Sequence, residues 1–341
     1  MSTTETKTAI DRTRRTPVEL RLQYYGAQNV PLLLSIGILI AMIMIYLILF
    51  VLTQNRLPGG FELSTTLNNT MTVGLAAIGQ TFVVLTGGID LSVGGIVDLT
   101  NSIAAQAMRD NPGSMLGITL LVLLIGAGAG FVNGLLVTYG RLQPIIVTIA
   151  TLAIWQGIAL LVLPQPGGSI PAAFVALLAG HLASLPSSLI LFVLLLLLWQ
   201  VLRRTRFLVT LYAIGNDERA ARANGAPVHF AKIGAYTVGG LFSGAAGLYL
   251  ASVSTSGDAT AGSSLTLTSI AAVVLGGVSL FGGRGSAVGS LVGACILTLL
   301  LNVLFFAGIN PQLQAFFQGL FLILAVIAST LVRRLLLQGE R

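Results

Sequence analysis

Three stretches of this chain run far without a charged side chain: Pro31 to Asn55, Pro144 to Leu202 and Gly285 to Val332. Crossing about 30 Å of hydrocarbon takes roughly 20 mostly apolar residues in a helix. In lipid, only helices or closed barrels satisfy every backbone polar group. Ten segments read as spans: Pro31–Thr53, Leu67–Thr86, Leu91–Met108, Met115–Thr138, Pro144–Leu163, Ser187–Leu202, Ala231–Val253, Leu265–Leu280, Ser286–Ala307 and Leu313–Val332. Ala172–Ala183 is too short to span and reads as an interfacial or re-entrant piece beside His181. The expected fold is an all-α integral membrane protein with about ten transmembrane helices.

Composition supports this. Apolar residues make up 55% of the chain and charged residues 9%, too few charges to cover a water-soluble surface. The net charge of +7 does not point to nucleic acid, because the Lys and Arg sit in short clusters between apolar runs, the pattern of cytoplasmic loops. With the N-terminus inside, all 18 Lys and Arg except Arg56 and Arg109 fall on the cytoplasmic side. That places both ends in the cytoplasm. The expected organisation is a cytoplasmic tail over 1–30, a membrane domain over 31–332 and a C-terminal tail over 333–341. Residues 1–29 are polar, so the first apolar run reads as a retained helix and not a cleaved signal. A single cysteine, Cys295, excludes an internal disulfide.

Glycine recurs inside the spans. Gly126, Gly128, Gly130 and Gly134 read as a small-residue face that lets helices approach closely, as do Gly239, Gly240, Gly244 and Gly247. Two segments resemble each other, Val83-Val-Leu-Thr-Gly-Gly and Val273-Val-Leu-Gly-Gly-Val. Each closes one span and opens the next, as a duplicated transporter half would.

Residues 203–232 form the longest cytoplasmic insertion. Asn216 or Asp217 can cap a short helix here, alanines favour it, and Gly225-Ala226-Pro227 ends it. A small rigid helix outside the membrane suits a lever for a soluble partner, or is an ordinary loop helix.

These residues carry a family resemblance. Glu218-x-x-Ala221-x-x-x-Gly225 resembles the cytoplasmic loop of ABC importer permeases. Gly87-Gly-Ile-Asp90-Leu-Ser-Val-Gly94 and Ala271 through Ser286, with Gly282-Gly283-Arg284-Gly285, resemble signatures of the ribose/xylose/galactose-type branch. The resemblance covers about Leu67 to Val332. It implies a type II importer-like fold and a helix, carried by Asp217, Glu218, Ala221, Gly225, Ala226 and Pro227, that docks on an ABC ATPase. It further implies a periplasmic binding protein that delivers substrate, a second permease copy (a homodimer is expected), and a place in the bacterial inner membrane. The expected cargo is a monosaccharide or related polyol, with a branched-chain amino acid or furanone-type signal as alternatives.

The residues themselves add to this. No G-x-x-x-x-G-K-[ST] phosphate loop occurs, so no cofactor is expected on this chain, and ATP and Mg belong to the partner ATPase. The two histidines, His181 and His229, lack a paired acid or metal cluster in sequence, so no enzymatic role is expected. Asp90 follows two glycines and can cap the next span. Asp98 lies about two turns into that span, where an ionised carboxylate costs several kcal/mol unless paired or hydrated, and it departs from the family pattern. It lines a polar path or makes a structural hydrogen bond. Asn69, Gln80, Asn101, Asn133, Asn302 and Phe305 are further candidates for a path, since sugar hydroxyls need donors, acceptors and a stacking ring. The rival reading is an ion-coupled secondary transporter with Asp98 or Asp90 as relay, which needs no docking helix.

Overall fold

The computed structural model describes residues 17–182 and 184–338. The expected tail charges Lys7, Arg12, Arg14, Arg15 and Arg341 lie outside them. A helix forms in each of the ten apolar segments: α1 (Pro17–Gln54), α2 (Gly60–Leu85), α3 (Val93–Ala107), α4 (Pro112–Thr138), α5 (Pro144–Val162), α7 (Ser187–Leu202), α10 (Val228–Ser254), α11 (Ser263–Leu275), α12 (Ala287–Phe306) and α13 (Pro311–Gln338). Among the described residues five helices are long and apolar enough to cross a bilayer: the Pro31–Gln54 part of α1, α4, α5, α10 and α12. A sixth follows if α7 and the next helix, α8 (Arg206–Asn216), count as one broken span, bent by 77°.

The remaining segments differ from the expected full-length spans for physical reasons. Helix α3 has 15 residues and α11 has 13, about 22 and 20 Å at 1.5 Å per residue. Helix α2 has 26 residues but carries Glu62, Asn68, Asn69 and Gln80. All three pack inside the bundle, where neighbouring helices replace lipid as their surroundings. The Ala172–Ala183 stretch begins with a helix of about two turns, α6 (Ala172–Leu178), followed by a hairpin of two-residue strands, β1 (His181–Leu182) on β2 (Leu185–Pro186).

The centre of the bundle is α10, which packs on α2, α3 and α4. Its contact with α4 is backbone on backbone. A Cβ on Gly126 would lie 2.5 Å from the Gly240 carbonyl, one on Gly130 2.0 Å from the Tyr236 carbonyl, and one on Gly240 2.1 Å from the Gly126 carbonyl. Without a hydrophobic drive between helices in lipid, such close approach is what supplies packing energy. Gly128 departs from the expected face: it has nothing within 4 Å, because the seam repeats every four residues and Gly128 falls off it. Helix α12 packs on α1, α2 and α11. Tyr46, Phe50 and Phe306 form an edge-on aromatic cluster between α1 and the end of α12, with ring centres 4.9 to 5.9 Å apart.

The repeat seen in sequence recurs as geometry. After α2, Gly87 takes φ +80°, its amide bonds the Val84 carbonyl, and the Gly88 amide bonds the Val83 carbonyl. After α11, Gly277 takes φ +79°, its amide bonds the Val274 carbonyl, and the Val278 amide bonds the Val273 carbonyl. Both are Schellman caps, which need a left-handed residue and so favour glycine.

Candidate functional site

One end of the bundle gathers the two glycine turns, the turn between α4 and α5, and the insertion at 203–227. The insertion holds two helices, not one. Thr205 caps α8, its Oγ accepting the Leu208 amide. Asp217 ends α8 and caps α9 (Glu218–Ala223), its Oδ1 accepting the Arg219 and Ala220 amides at 2.9 and 3.0 Å. Gly225, at φ +78°, closes α9, and the Ala226 amide returns to the Ala221 carbonyl at 3.0 Å. Ala221 is buried on the inner face of α9, and Pro227 precedes α10.

Helix α8 was not legible as a separate element, yet it joins the insertion to both signature turns. Gly215 lies so close to them that a Cβ would sit 2.0 Å from the Leu85 carbonyl and 2.2 Å from the Gly283 nitrogen. The Gly283 amide donates to the Leu85 carbonyl at 3.0 Å. Asn216 Nδ2 donates to the Gly283 carbonyl at 3.2 Å, and the Tyr212 hydroxyl donates to the Gly285 carbonyl at 2.6 Å. Gly282, Gly283 and Gly285 all have positive φ, so this tight loop is open only to residues that tolerate left-handed backbone. Arg284 is exposed; its carbonyl accepts the Ser279 amide, which closes the turn.

Glu218 fastens α9 to α10. Lys232 Nζ lies 2.6 Å from its Oε2 and Arg222 lies 3.3 Å from its Oε1. Partial burial raises the Glu218 carboxyl, but the hydrogen bond and charge of Lys232, with Arg222, outweigh it and hold the group below its ordinary value. Val209 of α8, Phe230 of α10 and Phe281 of the turn after α11 are apolar side chains that are 58%, 78% and 93% exposed.

Beneath the turns is a buried polar cluster. Asp90 Oδ1 accepts the Ser92 amide and hydroxyl at 2.8 and 2.6 Å, and Asn133 Nδ2 donates to the Ser92 hydroxyl at 2.7 Å. In the amide orientation that satisfies both groups, Gln80 pairs with the Asp90 main chain at 3.0 and 3.2 Å. The residue that caps α3 by position is Ser92, two places after Asp90; Asp90 acts one step earlier by fixing Ser92. Gly94, on the first turn of α3, donates its amide to Thr266 of α11 at 3.1 Å.

Near the opposite end, Asp98 and Asn101 are buried in α3 and hold the loop between α10 and α11. Asp98 Oδ1 accepts the Gly262 amide at 2.6 Å, and Asn101 Oδ1 accepts the Asp258 amide at 2.8 Å. Asn69, Asn302 and Phe305 lie apart from both groups. Asn302 Nδ2 donates to the Thr66 hydroxyl at 2.9 Å, joining α12 to α2, while Asn69 and Phe305 are exposed beside that seam. His181 Nε2 lies 3.1 Å from the Ser64 hydroxyl. The structure therefore sorts the sequence-derived residues into three settings: a platform of α8, α9 and the turns; buried polar groups, with Gln80, Asp90 and Asn133 beneath the turns and Asp98 and Asn101 toward the opposite end; and a polar face on α2 and α12.

Comparison with known proteins bears on these places. A family model described as branched-chain amino acid transport system / permease component matches residues 62–326, which include all three. Ribose import permease protein RbsC of Bacillus subtilis is 39% identical over 258 residues, covering 74% of this chain and 80% of the relative. Fructose import permease protein FrcC of Rhizobium meliloti is 34% identical over 310 residues, covering 87% and 85%. Autoinducer 2 import system permease protein LsrD of Photorhabdus luminescens is 30% identical over 301 residues, covering 86% and 90%. No solved structure gives a significant match.

Proposed function

The chain belongs to the family of branched-chain amino acid transport system permease components, and on that premise we propose that it is the membrane subunit of a bacterial ABC importer for a monosaccharide or related polyol. Relatives with ribose and fructose in their names support the sugar class over the amino acid of the family description. A furanone-type signal is the second cargo, supported by the autoinducer 2 relative.

The observation that carries this reading is the seating of α9. A capped helix, pinned by Glu218 to α10 and joined through α8 to both glycine turns, passes a push from outside the membrane directly to α2, α3, α11 and α12. An ion-coupled transporter has no use for such a part. A cytoplasmic ATPase, carrying ATP and Mg, docks on α9 and the exposed Phe230 and Phe281. A periplasmic binding protein delivers substrate at the opposite end. Two permease copies enclose the path, with Asn69, Asn302 and Phe305 facing it and ring stacking plus amides meeting the hydroxyls. Asp98 and Asn101 hold the outer loop in place. The chain crosses the inner membrane about ten times with both ends in the cytoplasm, short buried helices included, because discontinuous helices are tolerated where protein surrounds them. The chain itself performs no chemistry.

The test is thiol labelling in a Cys295→Ser background. A cysteine placed at Ser256 reacts with an impermeant reagent added outside, one at Ala223 reacts only in inside-out vesicles, and added ATPase subunit protects the Ala223 site. The reverse sidedness, or no protection, overturns the reading.

A further inference from the structure

Beside the docking platform lies a cationic groove that coupling does not explain. Arg141, at the tip of the α4–α5 turn, faces Arg219, Arg222, Ala223 and Glu218 of α9 across a hollow of about 890 Å³. An adjoining hollow of about 400 Å³ shares Arg141, Glu218 and Arg222 and adds His229 and Lys232 from α10, over Leu142 and Pro144 at the start of α5. Four permanent cations thus surround one carboxylate, and that carboxylate is already divided between Lys232 and Arg222. Arg141 and Arg219 have no ion pair among the described residues.

The surroundings say what kind of anion fits. Tyr139, Leu142, Ile145 and Ile146 are large apolar side chains, 46% to 62% exposed, at and just below the turn that bears Arg141. Helix α5 is one of the helices apolar enough to span. The groove therefore opens where a spanning helix leaves the hydrocarbon, which is the level of lipid phosphates. Basic pockets between helices at that level suit anionic headgroups, and each Lys or Arg near the surface contributes measurably. Arginine adds a fork of donors matched to phosphate oxygens.

We propose that this groove binds the phosphate of an anionic phospholipid between Arg141 and Arg219, with its acyl chains along Ile145 and Ile146. The lipid bridges α9 to the α4–α5 turn, two elements that no described salt bridge joins, and so makes the seating of α9 depend on membrane composition. The inference needs only that the chain sits in a bilayer, so it stands or falls separately from the cargo.

The experiment is native mass spectrometry of the full detergent-purified chain with equimolar dioleoylphosphatidylglycerol and dioleoylphosphatidylcholine. The expected result is preferential retention of phosphatidylglycerol, about fivefold weaker for each cation removed in Arg141→Gln or Arg219→Gln, and largely kept in Arg141→Lys. Phosphatidylcholine retention stays constant throughout. Arg219→Gln, on the exposed rim, carries the test if Arg141→Gln fails to fold. Equal retention of the two lipids, or unchanged retention by the neutral variants, overturns the proposal. Complete displacement of the lipid by millimolar inorganic phosphate overturns the lipid assignment, and loss of the preference once the ATPase subunit is bound gives the groove to the ATPase.

Discussion

The Gly283 amide donates to the Leu85 carbonyl at 3.0 Å, so the loop after α11 hangs on the last turn of α2. Leu85 lies in one of the two segments that resemble each other in sequence and Gly283 shortly after the other, and each segment carries the same Schellman cap. Gly215 of α8 lies against both. The junction has no room for a side chain, so force on α8 and α9 reaches both turns without an intervening flexible group.

Gly215→Ala tests that junction. Its Cβ would lie 2.0 Å from backbone on one turn and 2.2 Å from backbone on the other, and backbone cannot swing aside. Overpacking of this kind costs about 1–3 kcal/mol. The melting temperature in detergent should fall and uptake should be lost, whereas Gly157→Ala, with nothing within 4 Å, should change neither.

Gly225 separates conformation from contact. It has φ +78° and open space around it, so only the backbone resists substitution. Asparagine tolerates left-handed geometry and a β-branched residue does not. Gly225→Asn should keep ATPase association near the wild-type level, and Gly225→Val should lose it while the protein still inserts in the membrane. Equal behaviour of the two variants in a pull-down would remove the cap from the coupling mechanism.

Asp98 separates a structural role from a place on the path. An amide at this position still offers Gly262 an acceptor, so Asp98→Asn should melt within a few degrees of wild type. Asp98→Leu leaves the Gly262 amide unpaired at a cost of about 1–3 kcal/mol, and should melt lower and loosen the loop over 255–262. If Asp98 also meets substrate, Asp98→Asn changes uptake across a panel of sugars despite its near-normal melting; wild-type uptake leaves only the structural role.

Glu218 gives a pH signature at the platform. Its carboxyl is held below its ordinary value, so the attachment of α9 is fully present above the ordinary carboxylate range. It is lost only as pH falls through the depressed value. Association with the ATPase should be flat from pH 8 down to about 5. Glu218→Gln, which removes the charge at every pH, should weaken it already at pH 7, and Lys232→Met should add little further in the double variant.

The fold was legible where the signal is local. Long uncharged runs gave the helices, and Asp217, Gly225 and Pro227 marked α9 because capping acts within a few residues. The end of α7 at Leu202 was legible, but α8 was not, since Arg203-Arg204-Thr205 looks like any polar loop and the amphipathic text after it reads as more of the same insertion. The partners of Asp98 and Asn101 lie in the loop between α10 and α11, and no periodicity announces a contact so distant in sequence. The i, i+4 seam of Gly126 and Gly130 was readable from spacing, and the same spacing should have set Gly128 apart. The shortness of α3 and α11 follows from burial among other helices, which composition alone does not reveal.

Uptake of radiolabelled ribose into proteoliposomes tests the central claim most directly. The vesicles contain this chain, its ATPase subunit and enclosed ATP, with the binding protein added outside. The account predicts accumulation that requires ATP, both partner proteins and an intact α9, with Gly225→Val abolishing it and a proton gradient having no effect. Accumulation driven by a proton gradient in vesicles holding this chain alone would contradict it.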